Sequence, residues 1–494
     1  MAGKHSNKTN KGIRFRLGVL ILIFAVLSFV IVAGRLLYLQ VINTNFYQSK
    51  AAENQTKDLI ITPMRGSIYD RNMTELAVSA TTQEISVSPT NIRTKGLASV
   101  EVKRDEKGKA IPATDEEKEA ACLKYQQRIA KLLAKYLDLD YDETLKKIQR
   151  DQFYVRIARH VDADIADELM QKLSDEKLSG VNTTEDSKRY YKYGNFASQV
   201  IGFTNDAGGA YGLEAIYNEE LTGESGMVVT ARDRDGRSVL YQYDQYFDAE
   251  NGCDLHTTLD TTIQYYLEKG VQELEARFGT GKGAEGIVMD VNTGAVLAMA
   301  SLPTYDLNSP GTVYNDFLTS GMTEEQVLEN MRDLLNKQWR SKAINDTYEP
   351  GSTFKTLTLA MALEENVVDL NTGFYCSGSV KIEGETINCS KRAPGHGQQN
   401  LTQAFANSCN PAFINIGLRI GNDKFYQYML DFGLTEKTGI DTTGEASGFV
   451  NSEIKYSTLA LACYAFGQNF NVTPIALLAA QCACVNGGYP CSVV

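Results

Sequence analysis

Ser352 and Lys355 stand three residues apart in Tyr348-Glu349-Pro350-Gly351-Ser352-Thr353-Phe354-Lys355, a turn that runs into the apolar stretch 356–363. Three-residue spacing puts both side chains on one helix face. A serine hydroxyl becomes a useful nucleophile only when a base takes its proton. Lysine serves as that base only if desolvation or nearby charge lowers its pKa, and a helix apolar nearly all round is a buried one. The helix start also directs backbone N–H groups at a developing oxyanion. Ser-x-x-Lys by itself is weak, because a capping serine followed by a surface lysine reads the same way. Ser408-Cys409-Asn410, 56 residues on, adds a hydroxyl and an amide able to relay a proton and orient a substrate amide.

The elements that must hold these groups are visible as patterns. Residues 286–290 and 295–300 are short apolar runs separated by Val291-Asn292-Thr293-Gly294, which predicts a hairpin ahead of the serine helix. Residues 261–278 have helical spacing. Thr323-x-x-Gln326 reads as a capping box opening a helix that carries Leu328, Met331, Leu335 and Trp339. Earlier in the chain, Glu84–Ser88 alternates like a strand, and Thr114-x-x-Glu117 caps a helix with Ile129, Leu132, Leu133 and Tyr136 on one face. Further helices are expected at 142–150 and 161–178. Residues 101–120 are densely charged and predict an exposed insertion. Gly208-Gly209-Ala210-Tyr211-Gly212 enters a helix but lacks the Gly-Lys-Ser/Thr of a phosphate loop. The Gly-, Asp- and Tyr-rich stretch 222–256 is the expected domain boundary.

The chain has 494 residues, 43% hydrophobic and 22% charged, with a net charge of −12. That composition excludes a disordered or collagen-like chain and a polytopic membrane protein, and the charge argues against nucleic-acid binding. The charge is uneven. Lys4, Lys8, Lys11, Arg14 and Arg16 stand without an acid in residues 1–16, while the remainder carries 44 basic and 61 acidic side chains. Residues 17–34 hold no charge, and at 1.5 Å per residue reach about 27 Å, enough to cross a hydrocarbon core. The basic flank should stay in the cytoplasm, which puts the bulk of the chain outside. A cleaved signal peptide would have a shorter apolar core and a better site than Val32-Ala33-Gly34-Arg35.

Nine cysteines and four histidines show no Cys-x-x-Cys and no close histidine pair, so the sequence predicts neither metal nor cofactor. Export permits disulfides. Cys376 and Cys389 are the leading pair, with buried free thiols the equal alternative. Asp138-x-Asp140-x-Asp142 begins like a calcium loop, but Glu143 and Gln149 occupy the positions that need Gly and Glu, so a solvated helix connection is expected.

Taken together, these pieces resemble a class B penicillin-binding protein, a peptidoglycan D,D-transpeptidase. The resemblance rests on the single anchor, Arg65-Gly66-Ser67-Ile68-Tyr69-Asp70-Arg71-Asn72, Tyr211-Gly212-Leu213-Glu214, Leu255–Asp260 with Gln264, and Met289-Asp290 through Pro303. It continues through residues 348–355, Ser408–Asn410, Phe466-Gly467-Gln468 and Thr473-Pro474. It implies a multidomain α+β chain: a cytoplasmic tail (1–16), a transmembrane helix (17–34), a non-catalytic pedestal (36–255), and a β-lactamase-like transpeptidase domain (256–494) with an antiparallel sheet flanked by helices. It implies that Ser352 attacks the D-Ala–D-Ala carbonyl of a stem peptide and is acylated by β-lactams. Lys355 would be the base, Ser408 the proton relay, and Asn410 a partner of both substrate and Lys355. Implied partners are peptidoglycan stem peptides, β-lactams, the plasma membrane and proteins of a division or elongation complex; no nucleic acid is implied.

The resemblance departs at the family's third motif, a Lys-Ser/Thr-Gly on a strand lining the site. Lys437-Thr438-Gly439 has the letters but lies 27 residues after Asn410 without a strand pattern, so it is expected to be a loop. The motif belongs after Asn486-Gly487-Gly488, which predicts a transpeptidase domain incomplete at its C-terminus and a hairpin edge left open. A catalytically inactive scaffold and a β-lactam sensor are the competing readings; a sensor would need more than about 16 cytoplasmic residues for signalling.

Overall fold

The computed structural model describes residues 56–100, 112–231, 245–281, 283–313 and 316–493, with scattered positions between 15 and 38. Most of the expected basic tail, much of the apolar run 17–34, residues 39–55 and the part 101–111 of the charged segment therefore lie outside the described residues. Described positions of the run, Phe24, Val26, Leu27 and Phe29 among them, are helical and exposed. Among the described residues no helix is long and apolar enough to cross a membrane.

Two compact units are present. The smaller includes residues 1–63 and 224–250, and its described core is a three-stranded antiparallel sheet of Thr56–Ile61, Gly226–Ala231 and Gln245–Phe247.

The larger unit holds residues 64–223 and 251–494. Its first part is a sheet built on one long strand. Strand β1 (Ile68–Tyr69) leads into β2 (Glu75–Val87), followed by α1 (Pro89–Ala98), α2 (Asp115–Leu137) and α3 (Tyr141–Ile148). Next come β3 (Val155–Val161), α4 (Ala163–Asp175) and β4 (Val181–Tyr191). β3 and β4 both pair antiparallel with β2, the latter from Ala77↔Tyr191 to Val87↔Val181. The Thr114 hydroxyl accepts from Glu117 N–H, completing the capping box that starts α2. Ile129 and Leu133 of α2 then bury against Ile85 and Val87 of β2 and Leu169 and Leu173 of α4. Asp138 ends α2 in a left-handed conformation and Asp140 caps α3, so the calcium-like triplet is a helix connection. The helix expected from residue 161 starts two residues later, because Val161 still belongs to β3.

The expected motifs at 65–72 and 211–214 meet in a buried ion cluster. Arg65 Nε lies 2.7 Å from Glu214 Oε2, Arg189 Nε 2.7 Å from Glu214 Oε1, and Glu214 is fully buried. Tyr191 adds a hydroxyl at 3.2 Å. The pairing holds the segment entering β1 against β4 and the 212–216 helix.

The second part of this unit carries the site. β5 (Leu255–His256) adds parallel to β1, and α5 (Thr261–Phe278) packs on the hairpin β6 (Glu285–Met289) and β7 (Val296–Ser301). Gln264, buried in α5, bonds both backbone groups of Met299. Among the described residues the hairpin is a two-stranded sheet. The helix expected after Thr323 is broken at Asn330 into Glu324–Glu329 and Met331–Trp339. Leu328 is exposed while Leu334 and Gln338 face inward, a rotation of the expected apolar face.

After the serine comes α6 (Lys355–Glu364), then β8 (Gly373–Cys376), β9 (Ser379–Ile382), β10 (Glu385–Asn388) and β11 (Gly397–Asn400). β8 pairs with β11 and β9 with β10. Helices α7 (Leu401–Ala406), α8 (Asn410–Ile420), α9 (Asn422–Asp431), α10 (Thr458–Tyr464) and α11 (Pro474–Val485) complete it. Its core runs through Phe354, Leu357 and Met361 of the serine segment, Phe413 and Ile416 of α8, and Leu461 and Ala465. α8 and α10 approach so closely that a Cβ added at Gly417 would sit 2.6 Å from Ala465 Cβ.

Candidate active site

Pro350-Gly351 turns the chain into a short 3-10 segment, Gly351–Phe354, continuous with α6. The turn is pinned from behind. Gly351 N–H donates to Gly467 O at 2.8 Å, and a Cβ on Gly467, whose φ is +86°, would stand 1.9 Å from Gly351 O. Only glycine permits that approach. Asn469 N–H donates to the Glu349 carboxylate at 2.9 Å, and Gln481 Nε2 of α11 to Thr353 O at 3.1 Å. Phe466-Gly467-Gln468 thus acts as the backing of the serine turn, a role its letters did not disclose.

Phe354 and α6 are in the core, so Lys355 enters the site from below and is 1% exposed. Its Nζ lies 3.1 Å from Ser352 Oγ, 2.8 Å from both Ser408 O and Ser408 Oγ, and 2.7 Å from Asn410 Oδ1. Ser408 Oγ is 2.9 Å from Ser352 Oγ. The four residues singled out in the sequence therefore share one hydrogen-bonded cluster. Ser408 takes φ +48°, a costly conformation for a residue with a Cβ, and both its oxygens face the lysine. Asn410, at the first turn of α8, turns its Nδ2 to Asn388 O at 3.0 Å, which leaves Oδ1 to face Lys355.

Burial pushes the Lys355 amine down to about 8, while the nearby thiols of Cys389 and Cys409 pull it up. The acceptors around it also suit the uncharged form that a base needs. Ser408 O and Asn410 Oδ1 can only accept, so they take the two hydrogens of a neutral amine, and its lone pair is left for a hydroxyl proton. The face of Phe413 lies 5.5 Å from Nζ. That ring was not singled out in the sequence, and only its place one turn into α8 after Asn410 could have pointed to it.

Lys437-Thr438-Gly439 is a loop, as expected. Thr438 N–H donates to Glu445 Oε1 at 2.6 Å and Gly439 N–H to Glu445 Oε2 at 3.1 Å, so these backbone donors are occupied.

The sequence singled out no metal-ligating group, yet the fold brings four candidate ligands together. Sheet pairing collects Cys376, Cys389, His396 and Cys409, whose ligand atoms lie within 4.8 Å of one another. All three cysteines are buried and are free thiols; of the two alternatives the sequence left open for Cys376 and Cys389, the structure has the buried free thiols. Cys409 is the middle residue of the Ser408–Asn410 loop.

Two family profiles match the chain: "Penicillin-binding Protein dimerisation domain" over residues 60–257 and "Penicillin binding protein transpeptidase domain" over 286–493. Stage V sporulation protein D of Bacillus subtilis is 31% identical over 486 residues, covering 97% of this chain and 66% of that protein. Peptidoglycan D,D-transpeptidase FtsI of Escherichia coli is 28% identical over 458 residues, covering 91% and 67%. The chain thus spans about two thirds of the length of the curated relatives it matches. Among solved structures, the PBP2–MreC complex from Helicobacter pylori aligns with a TM-score of 0.63 at 21% identity, over 87% of this chain and 77% of that one. Penicillin Binding Protein 2X from Streptococcus thermophilus aligns at 0.60 and 23%, over 86% and 59%. At those identities the two structures speak for the fold.

Proposed function

This chain belongs to the class B penicillin-binding proteins, and on that premise we propose that it is a membrane-anchored peptidoglycan D,D-transpeptidase acting through an acyl-enzyme on Ser352. One observation carries the reading: a lysine 1% exposed, with its Nζ 3.1 Å from a serine Oγ and its hydrogens directed at acceptors that hold it in place.

In the acylation step the Ser352 hydroxyl gives its proton to the Lys355 amine as Oγ bonds to the penultimate D-Ala carbonyl carbon. The Ser352 N–H, at the start of the helical segment, is placed to stabilise the oxyanion. As the tetrahedral intermediate collapses, Ser408 passes the proton from Lys355 to the departing D-Ala nitrogen, the C–N bond breaks and an ester remains. An amine from a second stem peptide reverses the sequence and closes the cross-link. Asn410 fixes Lys355 through Oδ1. A β-lactam enters the same first step, its ring amide standing for the scissile bond. An inert scaffold has no use for a buried lysine, whose desolvation lowers stability.

The pedestal is assigned to residues 36–255 and the transpeptidase domain to 256–494. The run 17–34 is assigned as a single span with residues 1–16 cytoplasmic and the bulk outside the membrane. The solved complex of a Helicobacter pylori penicillin-binding protein with MreC supports a partner protein for this chain as well. A fluorescent penicillin tests the core of the proposal: the wild-type chain should be labelled and Ser352→Ala should not, with its thermal unfolding unchanged. Labelling that survives in Ser352→Ala would move the nucleophile elsewhere.

A further inference from the structure

We infer that the chain binds one Zn2+ through Cys376, Cys389, His396 and Cys409, and that the ion fastens the loop carrying Ser408 and Asn410 to the small β-subdomain 373–400. The four ligands come from the end of β8, the residue after β10, the residue before β11 and the residue before α8. Tetrahedral zinc with Zn–S of about 2.3 Å and Zn–N of about 2.0–2.1 Å implies edges of about 3.8 Å between sulfurs and about 3.6 Å between sulfur and nitrogen. Cys389 Sγ and His396 Nδ1 are 3.5 Å apart, and all four atoms lie within 4.8 Å. The four atoms are therefore close enough for one ion to draw them into a tetrahedron by a contraction of at most about 1 Å.

Three thiolates and one imidazole suit zinc, and leave no open position, which marks a structural ion. The surroundings are built for thiolate ligands. Cys376 sulfur faces the backbone N–H groups of Gly378 and His396, and Cys409 sulfur faces that of Ala412. Gln399 is 3% exposed, its Oε1 accepts from Asn407, and its Nε2 has no hydrogen-bond partner among the described residues. The Cys409 sulfur is the acceptor that amide faces. A metal-bound thiolate accepts from such donors, as outer-shell partners of metal ligands do. The turns are tight as well. A Cβ on Gly395, at φ +79°, would stand 2.2 Å from Cys376 O.

A disulfide competes for the same sulfurs but uses two of the three cysteines. It leaves a buried thiol and an imidazole unexplained. Zinc uses all four ligands. Because Cys409 separates Ser408 from Asn410, the ion would restrain both neighbours of the Lys355 amine, and through Cys389 it would hold the end of β10, whose Asn388 carbonyl positions Asn410.

The test uses the full chain in detergent, stripped with a chelator under reducing conditions, dialysed, and titrated with ZnCl2 alone. Expected is one zinc per chain by elemental analysis, with a rise in unfolding temperature. A lost outer-shell partner typically weakens metal binding 10–100-fold, so losing a ligand in Cys389→Ser or His396→Ala should weaken it by more than about 100-fold. His396→Cys should restore stoichiometric zinc, and since His396 is only half buried, the His396 pair stays informative if the cysteine variants fail to fold. Stoichiometric zinc in His396→Ala and Cys389→Ser, iron in place of zinc, or a zinc-free chain with Cys376 and Cys389 joined in the peptide map would each overturn the inference. The metal readout is independent of acylation: a zinc-loaded chain that no penicillin labels would sink the transpeptidase reading and leave this one standing.

Discussion

Replacing Asn410 by aspartate puts a carboxylate oxygen where an amide oxygen now sits, 2.7 Å from Lys355 Nζ. The wild-type amine, pushed down to about 8 from 10.5, is about 9% uncharged at pH 7, against about 0.03% for an ordinary lysine, a roughly 300-fold gain in competent base. A unit charge at 2.7 Å and an effective dielectric of about 20 is worth about 6 kcal/mol at the limit. A third of that, about 2 kcal/mol, returns the amine to about 9.5 and cuts the uncharged fraction at pH 7 about 30-fold. The assay is the second-order rate of acylation by a fluorescent penicillin from pH 6 to pH 10.5. The wild-type rate should climb about tenfold per pH unit, level off above about 8, and depend on one deprotonation. In Asn410→Asp the inflection should move up by more than one pH unit, with the rate recovering towards the alkaline end. Asn410→Ala controls for lost positioning: it should lower the rate at every pH without raising the inflection. A wild-type rate flat from pH 6 to pH 9, or an Asn410→Asp inflection that does not move, would refute Lys355 as the base.

Glu214→Ala leaves the Arg65 and Arg189 guanidiniums without their carboxylate in a buried site, and breaking such a pair costs about 3–5 kcal/mol. Urea unfolding should report that loss even where Ser352 remains reactive. Gly467→Ala sets a methyl 1.9 Å from Gly351 O and should slow penicillin acylation at least about tenfold by displacing the serine turn, with a structure near native by circular dichroism. Lys437→Ala should leave labelling within about twofold, since its loop is held by Glu445; a complete loss would restore that tripeptide as part of the site.

The sequence disclosed whatever is local. Thr114 and Glu117 announce a helix because a capping box closes within four residues, and Ser352 with Lys355 needs only one helical turn. Residues 261–278 and the 286–300 hairpin were legible for the same reason. Long-range pairing was opaque. Glu214 meets Arg65 across 149 residues, and the letters of both motifs were conspicuous without hinting at a shared ion cluster. The four candidate zinc ligands are separated by 12, 6 and 12 residues, spacings that match no compact metal motif. The β8–β11 pairing, Cys376 opposite Gly397, and the β9–β10 hairpin, which returns Cys389 N–H to Gly378 O, fold them together. The break at Asn330 was missed because one apolar period was extended across two short helices.

The close contact between Gly417 and Ala465 makes α8 a lever. Gly417 lies seven residues beyond Asn410, about 10 Å along the axis, and the opposing helix is 2.6 Å from any methyl placed there. A single carbon added at 417 would tip the far end of the rod, and with it the amide that holds the base. Drug sensitivity could then drift through a position that no inhibitor touches.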